Sequence, residues 1–263
     1  MIKLIATDMD GTFLRSDMTY NEEKFARLYQ KLQTRKIQFV VASGNQYFQL
    51  KSFFQKYPDI IYISENGALI RDNNQVLAKH AFDSVYIQKI ITQIQSIPAL
   101  KLLVCGSKSA YTLSSTDPNH IAYMRNFYHH LDVIDDFNEI NDDILKFAIT
   151  CPPEKTDIIV DQLRQKLSGL AEPTSSGHGD IDVIQLGMNK AAGLKELGQV
   201  LNINLNEMMA FGDGGNDLEM LREVGCGVAM KNAQPKVAAI ANQVTADNQE
   251  QGVLQTIEKF LEK

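Results

Sequence analysis

Lys3-Leu4-Ile5-Ala6-Thr7-Asp8-Met9-Asp10-Gly11-Thr12 is an apolar strand ending in two aspartates one residue apart, followed by Gly-Thr. Ligands of open α/β sheets bind just beyond the carboxyl ends of the strands, where Asp8 and Asp10 fall. Two carboxylates held together repel unless a proton or cation lies between them. The pair therefore asks for a hard divalent ion that prefers oxygen ligands, most simply Mg2+. An Asp-Gly step is also an ordinary turn, so the rest of the chain must supply the chemistry.

Outward from this strand the α/β pattern repeats. Thr19-Tyr20-Asn21-Glu22 reads as a capping box opening a helix to about Arg35, with Phe25, Leu28, Tyr29 and Leu32 on its apolar face. Ile37–Ala42 is a buried strand followed by Ser43-Gly44-Asn45, and a short helix is expected from Gln46 to Phe54. Ile60–Ile63 forms the next strand and ends in Ser64-Glu65-Asn66-Gly67. This alternation implies a parallel sheet with right-handed crossovers. From about Phe82 to Gln185 strands come in pairs between helices, which suggests an inserted α+β unit with a partly antiparallel sheet. After Lys190 the doubly wound pattern returns: a helix over Ala191–Leu201, a strand over Met208–Phe211, and Gly212-Asp213-Gly214-Gly215-Asn216-Asp217 at its end. Gly227–Ala229 and Gln243–Thr245 read as edge strands. The expected architecture is a Rossmann-like α/β core, 1–81 and 187–263, interrupted by a cap, 82–186.

Composition sets the outer bounds. The 263 residues are 44% hydrophobic and 22% charged, with a net charge of −6. That balance fits a globular chain and argues against nucleic acid or an anionic membrane as the main partner. The opening strand lacks the basic and long apolar regions of a signal peptide, and no run approaches a membrane span. Cys105, Cys151 and Cys226 are far apart and read as free thiols of a reducing cytoplasm. No histidines have zinc spacing; His129 and His130 are expected to diverge from a helix.

Four segments thus converge on strand ends or helix starts: Asp8/Asp10, Ser43-Gly44, Lys190 and Asp213/Asn216/Asp217. Taken singly, Ser43-Gly44 is a turn, Lys190 a surface lysine and Asn216-Asp217 a helix cap. Taken together they supply carboxylates for a cation, and a hydroxyl, backbone N–H groups and an ammonium for phosphoryl oxygens.

With these residues in place, the chain resembles the haloacid dehalogenase superfamily, in the Cof-like subgroup with a class II (subclass B) α/β cap. Asp8-Met9-Asp10-Gly11-Thr12, Ser43-Gly44, Lys190 and Gly212–Asp217 match its four motifs in order, and Glu65-Asn66-Gly67-Ala68 resembles a further Cof-like segment. Val41–Gln46 looks most like the branch acting on sugar phosphates.

The resemblance implies a cytoplasmic Mg2+-dependent phosphatase of small phosphate esters, monomeric or weakly self-associating. Asp8 would be nucleophile and metal ligand. Asp10 would be general acid/base, with its carbonyl on the metal. Asp213 would complete the metal set. Met9 would touch phosphate through its backbone, and Thr12 would steady the turn near Asp10. Ser43, Gly44, Lys190 and Asn216 would bind phosphoryl oxygens, and Asp217 would orient Lys190 or metal-bound water. Asn45 stands where many relatives carry Arg, and is expected to contact phosphate or substrate as a neutral donor. In the cap, His178, Gly179 and Asp180 of the Gly- and Ser-rich loop are candidates for substrate contact. The alternatives are a phosphotransferase or mutase using the same intermediate and, from another class, a phosphoacceptor signalling or binding module.

Overall fold

The computed structural model describes residues 1–177 and 179–262. The central strand β1 (Leu4–Thr7) is buried on both faces, with Ile5 in one apolar layer and Leu4 and Ala6 in the other. Both layers need helices over them, and the sequence supplies these in turn. Helix α1 (Glu22–Thr34) packs Phe25, Leu28 and Leu32 against the Ile5 layer, beside β2 (Gln38–Ala42). Helix α2 (Tyr47–Ser52) leads to β3 (Ile61–Ser64), followed by the antiparallel strands β4 (Leu69–Arg71) and β5 (Val76–Lys79).

The second sheet comes wholly from the middle of the chain. Helix α3 (Ser84–Gln95) precedes β6 (Lys101–Gly106) and β7 (Ala110–Leu113). Helix α4 (Pro118–Met124), β8 (Leu131–Ile134), β9 (Ile144–Thr150) and α5 (Thr156–Lys166) follow, then the hairpin β10 (Glu172–Gly177) and β11 (Asp180–Ile184). The strand order is β10-β11-β9-β6-β7-β8. All its pairs are antiparallel except β7–β8.

The chain then rejoins the first sheet through α6 (Lys190–Leu201), β12 (Met208–Gly212), α7 (Leu218–Glu223), β13 (Cys226–Ala229), α8 (Pro235–Ala238), β14 (Gln243–Val244) and α9 (Gly252–Leu261). The completed order is β14-β13-β12-β1-β2-β3-β4-β5. β1 pairs in parallel with β2 on one side and β12 on the other, Thr7 lying level with Val41 and Phe211. The direction of winding reverses at β1, the crevice where open α/β sheets bind ligands. Asp8, Ser43 and Asp213 all follow the carboxyl ends of these three strands.

Several local expectations change. Asn21, not Thr19, caps α1, its side chain accepting from the Lys24 N–H, while the Thr19 hydroxyl bonds Asp17. Asn21→Ala is expected to cost about 1 kcal/mol, read as a lower urea midpoint at unchanged slope; no shift would deny the cap its role. The Gly- and Ser-rich stretch is mostly strand, because β10 continues to Gly177 by pairing with β11. β13 is interior, flanked by β12 and β14; of the two expected edge strands only β14 lies at an edge. His129 and His130 follow α4 rather than lie on a helix. The His130 ring stacks on Phe48 with centroids 3.5 Å apart. Cys105 and Cys151 are buried, Cys226 is half-buried, and all three are free.

Candidate active site

Asp8 leaves β1 buried, and Lys190, the first residue of α6, meets it from across the sheet end with Nζ 2.6 Å from Oδ1. The same ammonium lies 2.7 Å from Asp217 Oδ1. Asp217 Oδ2 accepts the backbone N–H groups of Asp213 and Gly214, which fixes the loop after β12. Oxygens of Asp8, Asp213 and Asp217 all lie within 4.8 Å of one another.

Thr12 is buried and donates to Asp213 Oδ1 at 2.6 Å, so it steadies Asp213 rather than the neighbourhood of Asp10. Gly11 allows this approach: its φ is +74°, and a Cβ there would sit 2.5 Å from Asp213 Oδ2. The Met9 side chain is fully buried in the apolar layer. Asp10 faces the cavity, open to solvent yet walled in by protein, and accepts from Asn45 Nδ2 at 2.6 Å. Asn45 lines the cavity with its Nδ2 turned onto Asp10 and Gln49.

The electrostatics follow from burial. Burial raises the Asp8 carboxyl well above its usual range; Lys190 opposes this, while Asp217 and Asp213 add to it. Burial also raises Asp10, with the Asn45 hydrogen bond pulling the other way. Asp213 is pushed up to about 6, again by burial first, against the Thr12 hydrogen bond. Burial disfavours the Lys190 charge, but Asp217 and Asp8 outweigh it and hold the ammonium protonated. Three carboxylates thus share one cationic side chain. This hard-oxygen, electron-rich set fits a divalent cation such as Mg2+.

Asp213 gives that fit a test. Its folded-state pKa lies above the ordinary 3.8, so its contribution to stability is full below about 3.8 and is lost as pH rises through about 6. A bound divalent cation offsets that loss. Added Mg2+ is expected to raise the melting temperature more at about pH 8 than at about pH 5; equal shifts at both would contradict the assignment.

Above these residues lies a cavity of about 370 Å³. Asp8, Asp10, Ser43, Gly44, Asn45, Asp213 and Asn216 line its core side. The second sheet, α4 and the turn after it line the opposite side with Tyr123, Phe127, Tyr128, Lys146, Asp180 and Asp182. Of the expected cap contacts, Asp180 faces the cavity. Gly179 does not line it: its carbonyl accepts the Cys151 N–H within the cap. His178 lies outside the described residues.

Sequence reasoning gave no role to Glu65, Asn66, Lys146, Asp182 or the aromatic wall. Lys146 is buried against Glu65 and Asp182. Burial pushes Glu65 up to about 7, with Lys146 pulling the other way. The available signal was a lone charge in the apolar run Ile144–Ile149, since a buried lysine needs partners.

A family model described as haloacid dehalogenase-like hydrolase matches residues 5–257. The chain belongs to that family. A curated relative from Escherichia coli, named a 5-amino-6-(5-phospho-D-ribitylamino)uracil phosphatase, is 39% identical, covering 99% of this chain and 96% of its own. An HMP-PP phosphatase of Klebsiella pneumoniae is 30% identical, covering 91% of this chain and 88% of its own. A crystal structure from Streptococcus mutans, 35% identical, superposes over 100% of both chains with a TM-score of 0.95. This haloacid dehalogenase-like hydrolase is a phosphoric monoester hydrolase of the Cof-like type, with the parallel core and α/β cap of its relatives. Among the described residues no helix is long and apolar enough to cross a membrane.

Proposed function

We propose that this phosphatase of small phosphorylated metabolites works through an aspartyl phosphate on Asp8. The observation that carries the reading is the Lys190 ammonium set between Asp8 and Asp217 beneath a cap-covered cavity. Lys190 favours the ionised form of Asp8 that attacks and offsets charge on the phosphoryl group. As Asp8 Oδ bonds to phosphorus, the ester P–O bond breaks, and Asp10 gives its proton to the leaving alkoxide. The Asp10 carboxylate then takes a proton from water, whose oxygen attacks phosphorus, releasing inorganic phosphate and restoring Asp8. The raised Asp10 carboxyl suits the first of these steps. Asp8, Asp213 and the Asp10 carbonyl would hold Mg2+, which would supply charge neutralisation at the phosphoryl oxygens. Ser43, the Gly44 N–H and Asn216 hold those oxygens, and the cap excludes bulk water.

For the leaving group, Tyr123, Phe127 and Tyr128 offer an aromatic wall opposite the acids. Such a wall suits a planar ring beyond a polyol phosphate. The names of the Escherichia coli relative and of a 28% identical Bacillus subtilis relative support 5-amino-6-(5-phospho-D-ribitylamino)uracil as the first compound to assay, ahead of simple sugar phosphates. Phosphate release from both classes, with Mg2+ or with EDTA, tests the reading. Metal-dependent release that favours the ring-bearing ester is expected. Faster turnover of simple sugar phosphates would overturn the ring assignment, and release undiminished by EDTA would overturn the metal.

A further inference from the structure

We infer that Lys146 and Asp182 form a latch by which the closed cap sets the peptide orientations of the Ser43–Asn45 loop, making Lys146 a positioning residue for phosphate binding. The inference rests on the phosphatase reading above.

Both residues belong to the cap and lie on the same face of its sheet. Lys146 is on β9 and Asp182 on β11, where Asp182 pairs opposite Ala148, two residues beyond Lys146. Apart from each other, their partners belong to the core. Lys146 Nζ donates to the Gly44 carbonyl oxygen at 2.6 Å and to Asp182 Oδ1 at 3.0 Å, and forms an ion pair with Glu65 Oε2 at 3.4 Å. Asp182 Oδ2 accepts from Asn66 Nδ2 at 2.5 Å, and Asn66 Oδ1 accepts from Asn216 Nδ2 at 3.3 Å. The chain of contacts thus runs from the cap through the turn after β3 to the loop after β12.

The loop's geometry makes this more than a tether. Its three successive carbonyls are all engaged: Ser43 O by the Asn66 N–H, Gly44 O by Lys146, and Asn45 O by the Glu65 N–H. A trans peptide is planar, so holding a carbonyl fixes the N–H across the same bond. The Ser43 contact aims the Gly44 N–H, and the Lys146 contact aims the Asn45 N–H, which donates to Ser43 Oγ at 3.1 Å and so sets where that hydroxyl sits. Glu65 and Asn66 hold left-handed backbones, with φ of 52° and 55°, strain that persists only where surroundings enforce it. The fit is close, because a Cβ on Gly44 would lie 2.9 Å from Asp182 Oδ2.

Energetics favour an orienting role over a stabilising one. Desolvating buried charges offsets most of their attraction, so such a group adds little net stability, yet removing one partner strands the others. Because the charges belong to two units, stranded carboxylates regain water when the cap opens, without global unfolding.

The test uses Lys146→Met and Asp182→Asn in the full chain, with p-nitrophenyl phosphate and a bulkier sugar phosphate as substrates and tungstate as a phosphate mimic. Lys146→Met is expected to lower kcat/KM about tenfold or more, by similar factors for both esters, and to weaken tungstate inhibition in parallel. Asp182→Asn should move both in the same direction by less, and it decides the question should Lys146→Met fail to fold. Unchanged tungstate inhibition would overturn the latch, including the case where kcat falls because less enzyme is active. A loss confined to one ester would overturn it too, by making Lys146 a leaving-group contact. Should the native chain release no phosphate, the phosphatase reading fails, and calorimetric binding of tungstate to native and variant chains decides the latch separately.

Discussion

Asp8→Asn is expected to reduce phosphate release by roughly a thousandfold or more while leaving the chain folded. The amide keeps the shape of the carboxylate, and its oxygen can still accept from Lys190, which retains Asp217 as counter-charge. What is lost is the nucleophile, since a neutral amide oxygen does not form the acyl phosphate. The change also removes one of three crowded carboxylates, so the metal-free variant should melt no lower than the native chain. Two measurements check this: phosphate release under single-turnover conditions, and acid-stable phosphate retained on the protein. Native-like release by the variant would move the nucleophile elsewhere.

Lys190→Met should have the largest effect on stability. The side chain is fully buried between two carboxylates, and methionine fills similar volume without charge. Asp8, Asp213 and Asp217 would then face one another with no protein cation among them. Breaking a buried pair in this way costs about 3–5 kcal/mol, read as a lower urea midpoint in EDTA. Mg2+ should restore part of that loss because it supplies the missing positive charge, while phosphate release stays at least roughly a hundredfold down. A variant as stable as the native chain in EDTA would mean that the carboxylates do not carry the charge assigned to them.

The residues proposed for the site were legible in the sequence because each sits in a short local pattern. Asp8, Ser43 and Asp213 directly follow apolar strands, and parallel pairing puts all such ends on one side. The partners of those side chains were less legible. Thr12 reaches Asp213 across 201 positions, and Asn45 reaches Asp10 across 35, distances at which sequence pattern carries no signal for a single hydrogen bond. Lys146 was visible only as an isolated charge in an apolar strand, and its acceptors come from three separate loops and strands. The Gly- and Ser-rich stretch before Asp180 misled because composition marks turns, whereas β11 gives those residues a ladder to join. Gln243–Thr245 and Gly227–Ala229 both read as edge strands; only the three-dimensional strand order separates the edge from the interior.

The pairing of β1 with β12 also bears on how the protein is made. Leu4 and Met208 are partners in the same ladder, although residues 5–207 emerge from the ribosome between them. Until the later strand arrives, one border of the first-made strand has no permanent neighbour, and Asp8 lacks Lys190. An unpaired strand border is a template for wrong association, and long-range closure is slow. The cap, whose strands pair only with one another, can complete its own sheet during that interval. Asp8 can therefore meet Lys190 and Asp213 only after the strands of the cap have been made and are free to pair among themselves.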